Sequence, residues 1–172
     1  MPLLKSLLIL LAALACQGCG RAQQSNAEEK WLFERLDRVV HSGNVTQASI
    51  VKDFGLPPVC IRAYCNFTID AATGFKGAGS LRQSDGGIIF ELSELPAGRI
   101  RRSEVQSYFN TTVLEEGCCD APCWYLNSYN DWGFLAFGVR SPSQSSISSV
   151  VINTERYGRA LSARAQAGAN VR

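Results

Sequence analysis

The hydrophobic residues of this chain change period as they are read from one end to the other. An unbroken apolar run, Leu7–Ala15, comes first. Beyond it, Leu32, Leu36, Val39 and Val40 fall at i, i+4, i+7 and i+8, the spacing of one helical face. Asn26 is placed to cap that helix, with Glu29 three residues on as the return arm of a capping box, and Gly43 ends it. A second short helix starts at Thr46 and carries Ile50, Val51 and Phe54. Gly55 stops it, and Pro57-Pro58 prevents a restart.

The period then becomes two. Phe67 and Ile69 alternate with polar neighbours, as do Ile88, Phe90 and Leu92, so each stretch predicts a half-buried strand. Residues 71–87, rich in Gly and Ser, read as a strand around Phe75 followed by a loop. After the break at Leu95–Gly98, Ser103 is placed to cap a third helix bearing Val105 and Phe109. Glu115-Glu116-Gly117 reads as an exposed turn. Three further strands are predicted at Trp124–Tyr129, Trp132–Val139 and Ser148–Thr154. Past Glu155 the chain is rich in Ala and Arg without a clear period, and is expected to be loose or weakly helical.

The predicted elements recur. Ile50-x3-Phe54-Gly55 matches Val105-x3-Phe109-Asn110, where Asn also tolerates a left-handed stop. Cys60-x4-Cys65 matches Cys118-x4-Cys123, Gly74-Phe75 matches Gly133-Phe134, and the strand at 88–94 matches that at 150–155. The order is the same in both halves. The expectation is an α+β fold of two similar units, each with short helices on one face of a small antiparallel sheet. Its parts are a leader at 1–18, a tether at 19–26, units at 27–95 and 96–155, and a loose tail at 156–172.

Composition narrows the possibilities. Hydrophobic residues make up 46% of the 172, enough for a folded core. The net charge is +2, with Lys5 inside the leader, so no basic footprint points to nucleic acid. Lys5 followed by the nine apolar residues Leu7–Ala15 has the form of a secretory signal, and is about half the length a membrane span needs. The leader ends in Ala13-Leu14-Ala15-Cys16-Gln17-Gly18-Cys19-Gly20, which resembles the end of a bacterial lipoprotein signal. That resemblance implies a lipid on Cys19, or alternatively on Cys16, and contact with the membrane through the anchor only. Cleavage after Ala15 for soluble export is the remaining possibility. The expected location is the periplasmic face of a bacterial envelope membrane.

In an exported chain, cysteines are disulfide candidates before they are metal ligands. Cys60 with Cys65 and Cys118 with Cys123 are two equally spaced pairs, leaving Cys119 over. Alternatively Cys119 pairs with Cys123 and Cys118 stays free. Zinc needs about four closely spaced ligands, and the single His, His41, lies far from the 118–123 cluster, so no metal site is expected. His41 is placed at a helix C-terminus, where an imidazole more often serves the helix dipole than catalysis. No cofactor motif and no catalytic residue are identified. The carboxylate pairs Glu91/Glu94, Glu115/Glu116 and Asp120/Asp131 leave a carboxylate-based periplasmic hydrolase as a rival class.

A helix ending in Phe54-Gly55, a strand, then Gly133-Phe134-Leu135-Ala136-Phe137, then Ser149-Val150-Val151-Ile152 resembles the β-lactamase-inhibitor-protein-like fold. The small lipoprotein of the outer-membrane barrel-assembly machinery is similar. The resemblance covers residues 44–155 and implies a module that binds another envelope or secreted protein, an immunity or inhibitor protein being one form of this. Trp124, Tyr125, Tyr129, Trp132, Phe134 and Phe137 crowd into 14 residues, and strand alternation divides them between two faces. Tyr125 and Tyr129 are expected to face away from the helices as the centre of a partner site, with Trp132 at its edge.

Overall fold

The computed structural model describes residues 27–61, 64–111, 114–116 and 124–169, the side chains of 114–116 and 169 excepted. The leader, Cys16, Cys19, the tether, Asn26 and the cluster Cys118, Cys119 and Cys123 lie outside the described residues.

Helix α1 (27–41) buries Trp31, Leu32, Phe33, Leu36 and Val39. Helix α2 (Gln47–Phe54) has its capping box in Thr46 and Ser49 and stops at Gly55, whose φ of 65° is left-handed. Helix α3 spans Arg102–Tyr108 and α4 spans Arg156–Ala169. Seven strands are described: β1 (Cys65–Asp70), β2 (Lys76–Ser84), β3 (Gly87–Glu94), β4 (Leu114–Glu116), β5 (Trp124–Asn130), β6 (Gly133–Val139) and β7 (Ser149–Asn153). They form one antiparallel sheet in the order β1-β2-β3-β7-β6-β5-β4, and the fold is α+β. Among the described residues no helix is long and apolar enough to cross a membrane.

Strand alternation sends Phe67, Leu81, Phe90, Ile152, Leu135 and Leu126 to one face, where they form a single core with α1, α2 and α3. Trp31 stacks on Phe75 at 4.6 Å, Phe54 meets Phe90 at 4.6 Å, and Phe109 meets Phe137 at 5.0 Å. β3 and β7, the strands that resemble each other in sequence, pair in the middle of the sheet, with Phe90 opposite Ile152 and Leu92 opposite Val150. Gly55 and Asn110, the matched helix stops, are both left-handed. The matched Gly-Phe pairs do not pack alike: Phe75 is fully buried in the core, whereas Phe134 lies half-buried on the opposite face.

Several expectations need correction. Residues 76–84 are not a loop but a nine-residue strand, the longest in the sheet. Its glycines are required by close packing, since a Cβ on Gly79 would sit 1.8 Å from the Glu91 carbonyl oxygen at the β2–β3 bulge. Leu114–Glu116 is a short edge strand on β5, not a turn. The segment after Glu155 is a 14-residue helix packed on the face of the sheet opposite α1. Its inward stripe, Gly158, Leu161, Ser162, Ala165 and Gln166, has helical spacing but is built mainly of small residues. These permit close approach: Gly158 lies against the Asn153 side chain, and the Ser162 hydroxyl donates to the Gly133 carbonyl.

Ser103 does not cap α3. Arg101 is the capping residue and makes no side-chain cap bond. The return arm comes instead from another helix. Glu29 in α1, 3% exposed, accepts from the Arg101 backbone N–H at 2.8 Å, from Nε at 3.1 Å and from Nη2 at 2.9 Å. This hydrogen-bonded pairing raises the Arg101 pKa above the ordinary guanidinium value. Beside it, buried Glu28 lies 3.7 Å from Arg99 Nη1. The two carboxylates fix the start of α1 to the segment that leads into α3.

Candidate functional site

Asp85 and Gly86 both have positive φ, 44° and 72°, which makes the β2–β3 connection a two-residue hairpin turn of the primed type. Three other segments meet this hairpin at the same end of the sheet: the α1–α2 loop, the β5–β6 turn and the β7–α4 junction. Together they line a groove of about 540 Å³. Asn44, Thr46 and Ala48 form one wall and Gln83, Gly86 and Gly87 another. Ile61, Trp132, Thr154 and Arg159 complete it.

Each wall is held by local bonds. Ser42 accepts from Asn44 N–H and donates to the Val39 carbonyl, closing the end of α1. Thr46 and Ser49 fix the start of α2 reciprocally. Gly87 runs so close to Thr154 that a Cβ would sit 2.3 Å from its carbonyl oxygen, and Ile88 N–H donates to the Thr154 hydroxyl at 2.9 Å. The Trp132 indole N–H donates to the Val40 carbonyl at 3.3 Å, which satisfies one of the orphan acceptors at the end of α1. Arg159 Nη1 donates to the Thr154 carbonyl. The groove is therefore built from short, cross-bonded turns and the first turns of α2 and α4. It presents an aromatic ring, a cation and one exposed aliphatic residue, Ile61, at 40% exposure.

The structure does not bring the expected site residues together. Trp132 packs against the core and lines the groove. Tyr125 and Tyr129 alternate with buried Leu126 and so lie on the other face of the sheet. They do face away from α1, α2 and α3, but α4 packs on β5 and β6 from that side. Both tyrosines are half-buried there. Tyr129 meets Phe134 edge-on at 6.3 Å and its hydroxyl accepts from the Asn127 amide at 3.2 Å. Ala136, on the same face, is only 3% exposed.

Cys60 and Cys65 are joined, with their Cα atoms 5.3 Å apart. This staple closes the corner between α2 and β1, and Val59, Ile61 and Tyr64 project from it into solvent. His41 is exposed at the end of α1, with Nδ1 3.1 Å from Asp37 Oδ1. Glu91 is half-buried on strand β3, and Glu94 lines a second groove of about 540 Å³ with Tyr64, Asn66 and Thr68; no carboxylate lines the groove at Trp132. No group of His, Cys, Asp and Glu placed to hold a metal occurs among the described residues.

Sequence reasoning missed the groove, although Asp85-Gly86 between two alternating stretches was the available signal for one of its walls. No protein-family model, curated protein or solved structure matches the chain.

Proposed function

We propose that this is an exported, lipid-anchored protein of the bacterial envelope that binds another envelope or secreted protein through the groove holding Trp132. The position of the groove carries the reading. The tether leads into the start of α1, and the groove lies where α1 ends. The 15 described residues of α1 span about 22 Å, so an anchor at Cys19 leaves the groove at the end of this helix away from the anchored one. That is the end a partner beyond the membrane surface reaches. Trp and Arg, residue types that dominate interface energetics, are both present in it, Trp132 on the β5–β6 turn and Arg159 in the first turn of α4. Turns already fixed in place lose little conformational freedom when a partner docks.

The two halves are read as copies of one helix-plus-sheet unit. The central pairing of β3 with β7 and the left-handed stops at Gly55 and Asn110 support this. The divergent packing of Phe75 and Phe134 marks where the copies have parted.

The test is affinity capture from envelope extracts. Asn44→Arg and Ile61→Arg both alter exposed positions on the groove. Each should abolish recovery of a partner that wild-type protein retains, with export unchanged. Equal recovery by wild type and both variants would place the partner surface elsewhere. Cys19→Ser should release the protein from membranes. Continued palmitate incorporation in that variant would move the lipid to Cys16.

A further inference from the structure

We infer that the protein self-associates through the free edge of β1, two copies joining their sheets about a two-fold axis. Among the described residues β1 is the terminal strand of the sheet, so one side of it presents a row of backbone N–H and C=O groups that β2 does not use. Such an edge invites pairing, and proteins that avoid pairing defend it with Pro, Lys, a bulge or a very short strand. β1 has none of these. It runs for six residues, Cys-Asn-Phe-Thr-Ile-Asp, in unbroken register with β2. Its one charge, Asp70, is at the last position, where Lys76 lies 3.4 Å from the carboxylate. The opposite edge of the sheet, β4, has three described residues.

The occupant follows from the strand's own sequence. A two-fold axis perpendicular to the sheet keeps the helices of both copies on one side, and so sets residues of the same face opposite each other. Centred on Thr68, the antiparallel register places Thr68 across from Thr68, Phe67 across from Ile69, and Asn66 across from Asp70. Each is a favourable cross-strand pair: hydroxyl with hydroxyl, aromatic with β-branched, amide with carboxylate. No like charges meet. Asn66, Thr68 and Asp70 are exposed in the single chain, so nothing must be displaced on that face. Tyr64, 61% exposed with its hydroxyl donating to Asn66 Oδ1 at 2.8 Å, continues the strand and gains cover from the other copy's 71–74 turn. The pairing does not depend on what the Trp132 groove binds.

The test uses the full-length protein in its own membranes and after detergent extraction. Paired residues in an antiparallel ladder have Cα atoms about 4.5–5.5 Å apart, within the range a disulfide spans. Thr68→Cys should therefore give a covalent dimer on oxidation, with a 68–68 linked peptide found by mass spectrometry. Asp70→Cys should not link to itself, because its two copies are four residues out of register. Thr68→Lys sets two like charges face to face and should raise the dimer dissociation constant about tenfold, with circular dichroism unchanged. An unlinked Thr68→Cys protein, equal linking by Asp70→Cys, or a wild type that sediments as a monomer at tens of micromolar would each overturn the proposal.

Discussion

Removing the carboxylate of Glu29 should lower stability by several times what removing an exposed carboxylate does. In Glu29→Ala, the Arg101 backbone N–H at the start of α3 loses its acceptor, and the guanidinium loses both of its bonds to Glu29 and keeps Glu104 at 3.3 Å. Hydrogen bonds to a charged group contribute about 1.5–3 kcal/mol each in favourable cases. Three in sequence would overcount, because the Arg101 side chain is 54% exposed and recovers water when the pair is broken. The backbone N–H and one discounted guanidinium bond give about 2–3 kcal/mol. For a chain of this size each kcal/mol moves the melting midpoint by about 2–4 °C, so the fall should be about 5–10 °C. Glu34→Ala is the control. Its partner Lys30 is 3.8 Å away, both side chains are largely exposed, and the loss should be below about 0.5 kcal/mol. Thermal unfolding by circular dichroism, with urea melts for the free energies, measures all of these. A Glu29→Ala midpoint within about 1 °C of wild type would refute the role assigned to this carboxylate.

Gly79→Val should cost more than about 3 kcal/mol or prevent accumulation of folded protein, since the added carbon meets the Glu91 backbone and not a movable side chain; soluble yield and urea midpoint report it. Ser162→Arg should lift α4 from the sheet, seen as faster amide hydrogen exchange over 156–169 and over β5 and β6, with β1–β3 unchanged. Cys60→Ser with Cys65→Ser should cost about 2 kcal/mol by the loop-closure model. Intact mass after alkylation checks that this bridge forms in the wild type.

The sequence was legible where a large apolar residue recurred on one face of an element. Leu32, Leu36 and Val39 located α1, and Ile88, Phe90 and Leu92 located β3, because burial of such side chains selects the period. Cys60 with Cys65 was readable from spacing alone. What failed was signalled by small residues. β2 carries Gly77, Ala78 and Gly79 because backbone and neighbouring rings approach it closely, and those glycines resemble a loop until the neighbours are known. α4 buries Gly158 and Ser162 and half-buries Ala165, which any hydrophobicity count passes over. That omission misjudged the surroundings of Tyr125 and Tyr129, since alternation shows which face a strand residue takes but not what arrives later in the chain to pack on it. Trp132 was chosen with them as one of an aromatic cluster, yet its place in a turn sends it to the end of α1. The groove depends on four segments far apart in sequence, and no local pattern announces a meeting of that kind.

Site-specific photo-crosslinking in intact cells tests the central claim most directly. A photoreactive residue is placed in turn at Asn44 and Ile61 on the groove, at Tyr125 and Tyr129 beside α4, and at exposed Arg140. Positions 44 and 61 should give one adduct of the same size, to a protein other than this chain, and positions 125, 129 and 140 none. Adducts from 125 and 129 with none from 44 and 61 would contradict that claim.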